Sequence, residues 1–289
     1  MNRLGSLGLV LAATLAAGSS AQAQVNCTTY PNLCGLTVNS TIEQPNHGVA
    51  IDVVLVGDGY TDMAAWRSAA ASAIASFKGA TSNMYGQVPA LYNFHVVEVV
   101  STSSNVSNTD TNDTALGMYT GGPYITAQAA RVNLAAMNAP DVDVVIAIPN
   151  GGGRSNASYP SALAEGGTVR LAASSLSVIT HELGHALFHL ADEYEEAAIC
   201  ASQPPSESGM IREPNVTTDP TCHKFQGLAA VGCIQGGKYC SSGVYRSKST
   251  CLMRTNSGAA CPACAKRIAD VLKERRSGLN WGDPWATRF

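Results

Sequence analysis

The sequence has little charge and no marked excess of either sign. Of its 289 residues, 18 are basic and 21 are acidic, so charged residues make up 13% of the chain and the formal net charge is −3. Proteins that bind nucleic acid or an anionic membrane surface carry clustered Lys and Arg. The composition therefore excludes those two classes of partner.

Long apolar runs are also missing beyond the N-terminus, so we expect no transmembrane helix in the mature chain. At the N-terminus, Arg3 precedes an apolar run, residues 4–17, which leads to the small-residue tripeptide Ala21-Gln22-Ala23. This pattern is typical of a secretory signal peptide, which we assign to residues 1–23. Because Cys27 does not directly follow the cleavage point, we expect no lipid anchor. The signal peptide predicts a secreted or periplasmic protein.

All nine cysteines lie in the mature part, and seven of them fall between Cys200 and Cys264. In an exported chain such crowding indicates a disulfide framework, and the odd number leaves one cysteine over. The alternative is a second zinc site on Cys261-Pro262-Ala263-Cys264. A structural zinc site usually needs two such pairs, so the sequence favours disulfides.

Short apolar runs separated by turn-forming residues predict buried strands, and an alanine-rich stretch predicts a helix. Removal of the signal leaves about 265 residues, roughly enough for one large domain. Strands that alternate with helices favour an α/β fold with a mostly parallel sheet. The predicted strands are residues 50–56, 94–100 and 142–148, with a short edge strand at 168–172, and the predicted helix is residues 61–77.

Two connecting segments have irregular composition. Residues 101–114 are rich in Ser, Asn, Thr and Asp, and they predict a solvated loop. Asp110 and Asp113 are candidate calcium ligands there, but the ordered spacing of a calcium loop is missing. Residues 150–160 begin with the glycines 151–153, which fit either an ordinary turn or a close backbone approach.

The strongest chemical signal is His181-Glu182-Leu183-Gly184-His185, within a stretch of helical periodicity. Residues four apart are neighbours on a helix, so the two imidazoles can bind one zinc ion while Glu182 reaches a bound water. Zinc lowers the pKa of that water to about 7, and the glutamate accepts its proton. An ordinary amphipathic helix would explain the leucines but not the histidines and the glutamate.

A third protein ligand must come from downstream, where three residues compete. His189 is eight helical residues beyond His181, a rise of about 12 Å, which is too far without a break in the helix. Asp192 and Glu193 follow the point where the chain would have to turn back. Local geometry does not choose between the two carboxylates.

The segment Leu190-Ala191-Asp192-Glu193-Tyr194 resembles the IgA-peptidase-like zinc metallopeptidases, a metzincin-like family. Further similar segments lie at residues 56–61, 213–217, 244–246, 251–254 and 261–264. The resemblance implies an α/β (α+β) metzincin-like zincin with a mixed, mostly parallel sheet. A signal peptide and an N-terminal extension, 24–48, then precede one metallopeptidase domain, 49–289. Its upper lobe, 49–190, would carry the sheet and the active-site helix, and its lower lobe, 191–289, would be irregular and rich in disulfides.

The same resemblance implies roles for individual residues. A chain reversal at residue 189 makes Asp192 the third zinc ligand, with Glu193 and His189 as the alternatives. The family usually has glycine at this reversal, but histidine tolerates a positive φ better than most residues. Met253 fits the methionine turn below the metal. Tyr245 is a candidate transition-state stabiliser, or else a core tyrosine.

The sequence therefore predicts a secreted zinc endopeptidase, a monomer that acts on a protein or peptide. An edge strand within residues 150–172 would bind the substrate through main-chain hydrogen bonds. One alternative is a zinc amidase that acts on cell-wall peptide, and another is a non-catalytic binding module on a zincin scaffold. Glu182 argues against the binding module, because a scaffold that had lost its activity would have least reason to keep the catalytic base.

Overall fold

The computed structural model describes residues 27–79, 91–109, 114–158, 166–203, 205, 213–256 and 258–276. The predicted signal peptide and the candidate calcium ligands Asp110 and Asp113 lie outside these residues. None of the helices in the described ranges is both long enough and apolar enough to cross a membrane.

A six-stranded mixed sheet forms the centre of the molecule, with the strand order β1-β3-β2-β4-β6-β5. The four inner strands are parallel, and the edge strands β1 and β5 are antiparallel to their neighbours. The predicted mixed, mostly parallel sheet is therefore confirmed. Its strands are β1 (Val38–Thr41), β2 (Ile51–Asp58), β3 (Tyr92–Val97), β4 (Val144–Pro149), β5 (Asn156–Ser158) and β6 (Thr168–Arg170).

Helices cover both faces of this sheet. Its central strands are therefore buried on both sides. Every residue of β2 is buried, and its side chains alternate between two hydrophobic clusters. Val53 and Leu55 face the cluster that contains the active-site helix, whereas Val54 and Val56 face the opposite cluster. The helices are α1 (Met63–Gly79), α2 (Ala129–Ala136), α3 (Ile179–Phe188), α4 (Ala197–Ser202), α5 (Leu252–Thr255) and α6 (Pro262–Arg276).

The edge of the sheet differs from the sequence prediction. Residues 168–170 form β6, but β6 pairs with β4 on one side and β5 on the other, so the prediction of an edge strand there was wrong. The edge is β5, Asn156–Ser158, which lies within the range 150–172 where an edge strand is expected. Its three residues are small or polar and none is β-branched or aromatic, so they carry no strand signal.

The part of the chain after residue 190 has more regular structure than the sequence predicts. A three-stranded antiparallel sheet, β7 (Val216–Thr217), β8 (Ile234–Gly237) and β9 (Cys240–Arg246), is followed by α5 and α6. The disulfides Cys200–Cys240 and Cys222–Cys233 cross-link this part, and Cys27–Cys34 lies in the N-terminal segment. Disulfides are confirmed, but three cysteines rather than one remain free.

Asp58, at the end of β2, organises the loops beside the sheet. Its carboxylate is fully buried and accepts five hydrogen bonds. The donors are Gly59 N, Ser101 Oγ, Thr114 Oγ1, Leu116 N and Met118 N, at 2.6–3.0 Å. Residue 101 and the segment 114–118, both of which follow β3, are thereby held against the end of β2.

We expect Asp58→Asn to lower the free energy of unfolding by about 2–4 kcal/mol, because an amide nitrogen would face buried donors. Urea unfolding followed by circular dichroism measures this. Asp270→Asn is the matched control, since Asp270 is 43% exposed and pairs with Lys266 on one helix. Its effect should stay below about 1 kcal/mol, and equal losses in the two variants would contradict the role given to Asp58.

Candidate active site

The active-site helix α3 ends at the point where the chain must reverse if a downstream residue is to reach the two histidines. His189 adopts left-handed backbone angles, φ 55° and ψ 36°. The following Leu190 N–H donates to Gly184 O at 3.0 Å, and His189 N–H donates to His185 O at 3.1 Å. These bonds satisfy carbonyls at the helix end and send the chain back towards its own histidines.

The reversal brings Asp192 to the two histidines of α3. The Nε2 atoms of His181 and His185 are 3.1 Å apart. Asp192 Oδ1 lies 2.9 Å from the first and 3.3 Å from the second. Three ligand atoms about 2.1 Å from one tetrahedral ion would be separated by roughly 3.4 Å, so the spacing fits a metal centre.

The hydrogen bonds around this cluster leave its inner atoms as acceptors. Each histidine Nδ1 faces a backbone carbonyl, His181 at Leu252 O (3.2 Å) and His185 at Leu190 O (2.6 Å). Because a carbonyl can only accept, each Nδ1 donates and each Nε2 directs a lone pair at Asp192. The Tyr239 hydroxyl donates to Asp192 Oδ2, while Oδ1 accepts no hydrogen bond from the described residues. Three converging acceptors need a cation between them, so the residues present fit a bound metal.

The electrostatics of the cluster lead to the same conclusion. Burial opposes ionisation of Asp192, but the two imidazoles outweigh it and hold the pKa of the carboxyl well below its usual range. For His185, burial lowers the pKa, but Asp192 outweighs that effect and raises the pKa to about 9. The ionised carboxylate thus favours positive charge among the three ligand atoms, whether a proton or a metal ion carries it.

Glu182 lies beside the cluster and lines the same cleft. It is 7% exposed, and burial raises the pKa of its carboxyl although His185 and His181 oppose the shift. A carboxylate with a raised pKa accepts a proton more readily near neutral pH. Its position and environment suit a general base.

The cleft in front of the cluster has a volume of about 950 Å³. All three residues of the edge strand β5 line it, and so do Arg154 and Tyr194. Arg154 Nη2 contacts Glu196 Oε2 at 2.8 Å and Tyr194 Oη at 3.2 Å. The cleft thus has a strand edge on one wall and the histidine–aspartate cluster within it.

The family model described as IgA Peptidase M64 matches residues 41–230. This chain belongs to that family. The match covers well over half of the chain and contains the active-site helix and Asp192. It confirms the predicted resemblance to IgA-peptidase-like metallopeptidases, and the protein is therefore a metallopeptidase. Comparison with curated proteins gave no match.

Met253 lies against α3 in this M64 peptidase. It is fully buried, and a Cβ added at Gly184 would lie 2.7 Å from its Sδ atom. Glycine at this position therefore lets the methionine pack against the helix between the two histidines. The placement agrees with the predicted methionine turn, whose role stays a prediction.

The alternative ligands of the M64 peptidase lie elsewhere. Glu193 turns its carboxylate towards Asn215 and two cysteines, and its Oε1 accepts from Asn215 Nδ2 at 3.0 Å. His189 is 1% exposed and forms the helix cap, outside the cluster of His181, His185 and Asp192.

Tyr245 lies where the alternative of a core tyrosine places it, and its role as a transition-state stabiliser stays a prediction. Tyr245 lies in β9, half-buried against the core, and is not among the residues that line the cleft. The cleft tyrosines include Tyr194 and Tyr239. Sequence reasoning missed Tyr239, because it lies 47 residues beyond Asp192 in a tight turn, and only the tertiary structure brings the two together.

Proposed function

We propose that this M64 peptidase is an exported zinc endopeptidase with the ligands His181, His185 and Asp192 and the general base Glu182. The observation that carries the proposal is the convergence of three acceptor atoms, 2.9–3.3 Å apart, beside a buried carboxylate in an open cleft. Two imidazoles and one carboxylate with a free fourth position are the ligand set of a catalytic zinc site. When bound, zinc supplies a Lewis acid and lowers the pKa of a coordinated water to about 7.

The chain's own residues then perform the proton transfers and the positioning. Glu182 accepts a proton from water and returns it to the amine that leaves. The carbonyls of Leu252 and Leu190 fix the tautomer of the two imidazoles. Tyr239 holds one oxygen of Asp192 so that the other faces the histidines. Such partners of the ligands orient a metal site and tune its affinity.

An extended peptide fits the wall formed by β5. An edge strand has one side without a strand partner, so a substrate can add to it as a further strand through main-chain hydrogen bonds. The cleft is open and about 950 Å³ in volume, which suits an internal segment of a polypeptide rather than a chain end alone. This arrangement supports the proposal of endopeptidase action.

Export is supported by two independent features. The N-terminal segment has the charge, apolar run and small-residue site of a signal peptide. Three disulfides link six of the nine cysteines. Disulfides persist in oxidising compartments, whereas cytosolic thiols stay reduced.

Removal and return of the metal tests the proposal. We expect a chelator to abolish casein cleavage by the purified protein and stoichiometric zinc to restore it, because without the ion no water is activated for attack. Magnesium is the control ion and should not restore activity, since it binds imidazole poorly. Full casein cleavage by metal-depleted protein would contradict the proposal. Release of peptide from peptidoglycan in place of casein cleavage would favour the amidase alternative.

A further inference from the structure

A second cluster of metal-ligating side chains lies beside the active site. It consists of Glu193, Cys251, Cys261 and Cys264, all four buried, whose ligand atoms lie within 4.8 Å of one another. The three cysteines are the ones that form no disulfide. They lie beyond the region matched by the family model, which ends at residue 230.

The spacing of the four side chains fits one tetrahedral ion. Cys251 Sγ and Cys264 Sγ are 3.5 Å apart, and Glu193 Oε1 lies 3.4 Å from Cys261 Sγ and 3.5 Å from Cys264 Sγ. Four ligands around zinc, with Zn–S bonds of about 2.3 Å, would be separated by roughly 3.4–3.8 Å. A disulfide would instead require sulfur atoms about 2.0 Å apart.

We propose that Cys251, Cys261, Cys264 and Glu193 bind a second, structural zinc ion. Four protein ligands leave no open position, which is the mark of a structural rather than a catalytic site. The sequence alone favours disulfides here, because Cys261 and Cys264 form only one of the two close pairs that a structural zinc site usually needs. The remaining two ligands come from other parts of the chain, and folding brings them to the pair.

A disulfide cannot satisfy this cluster. Three thiols permit one bond and leave the third thiol buried against Glu193. The Oε2 atom of Glu193 is buried and has no hydrogen-bond partner among the described residues. One ion instead engages all three sulfurs together with the carboxylate, so that no thiol is left over and the buried negative charge is compensated.

Neighbouring groups donate hydrogen bonds to two of the sulfur atoms. Cys261 N–H points at Cys251 Sγ at 3.2 Å, and Ser247 Oγ donates to Cys261 Sγ at 3.2 Å. Cys261 directly precedes α6, a 15-residue helix whose N-terminus favours a thiolate. Arg254 adds positive charge nearby, since its Nη1 donates to the Glu193 carbonyl at 2.8 Å. Thiolates stabilised in this way are the form that binds zinc.

The second ion would also brace the catalytic centre. Cys251 precedes Leu252, whose carbonyl accepts from His181, and Glu193 follows Asp192. Glu193 N–H further donates to Met253 O at 2.7 Å. The structural site stands without the proposed function, and only this bracing effect depends on it.

The test counts metals and thiols in the full mature chain purified with zinc. We expect two zinc ions per chain in the native protein, and one in the His181→Ala/His185→Ala variant. After denaturation with a chelator, three thiols per chain should react with a thiol reagent. Cobalt loaded into the double-histidine variant should give the near-ultraviolet charge-transfer band of a cobalt thiolate, and Cys264→Ser should abolish that band.

Cys27→Ser/Cys34→Ser is the matched control, because it removes cysteines of a distant disulfide and should keep both zinc ions. A single reactive thiol per denatured chain, or a double-histidine variant without a cobalt–thiolate band, would overturn the second site. Neither measurement requires Cys264→Ser to fold. Casein cleavage by the double-histidine variant would instead contradict the proposed function and leave the second site intact.

Discussion

Glu182→Gln is expected to lower kcat for casein cleavage by about 10²-fold to 10⁴-fold while the zinc content of the protein stays unchanged. The amide keeps the shape of the side chain but cannot accept a proton, and loss of a general base has effects of that size. The corresponding rise in the activation barrier is roughly 3–5 kcal/mol. Steady-state kinetics together with metal analysis of the same sample measures both quantities.

The control for this substitution is the same change at an exposed site. Glu43 pairs with Lys78 at 3.4 Å, and its side chain is 43% exposed, away from the cleft. Glu43→Gln should therefore retain full activity. Undiminished cleavage by Glu182→Gln would refute its role as the base, and loss of zinc from that variant would assign Glu182 to metal binding instead.

Asp192→Asn should weaken zinc binding by more than about 100-fold and remove activity at ordinary zinc concentrations. The substitution deletes the negative ligand from the cluster, a larger change than loss of a partner that only orients a ligand, which costs 10-fold to 100-fold. The Tyr239 hydroxyl would also lose its charged acceptor. Zinc affinity is measured by competition with a chromophoric chelator, and activity is measured across a zinc titration.

Two further variants separate Asp192 from its rivals. Asp219→Asn makes the same change at an exposed carboxylate that bonds Thr221 and His223, and it should keep the metal. His189→Gly preserves the left-handed helix cap and should also keep the metal, because His189 is not a ligand in this account. Metal loss from His189→Gly with retention in Asp192→Asn would reverse the assignment.

Much of the fold follows from local sequence. Residues 51–58 form a strand because a short apolar run rich in β-branched residues can be buried on both faces of a parallel sheet. The short edge strand β5 has no such signal, since Asn156, Ala157 and Ser158 gain their strand conformation from pairing with β6. The sequence therefore predicts the centre of the sheet better than the edge that lines the cleft.

The candidate site likewise contains some residues whose positions the local sequence predicts and others whose positions it does not. The positions of His181, Glu182 and His185 follow from helical spacing alone. The position of Asp192 depends on the left-handed backbone of residue 189. The sequence signals this conformation only weakly, because the residue there is histidine rather than glycine. Tyr239 reaches Asp192 only through long-range packing. In the same way Cys251 and Glu193 reach the pair Cys261 and Cys264, so the local pattern does not predict these partners.

Anomalous X-ray scattering from a crystal of the protein, measured on both sides of the zinc absorption edge, tests the central claim most directly. We predict a zinc peak bound by the Nε2 atoms of His181 and His185 and by the carboxylate of Asp192, with Glu182 beside its open position. A peak bound by Glu193 or His189 in place of Asp192, or no zinc at the histidine pair, would contradict the account.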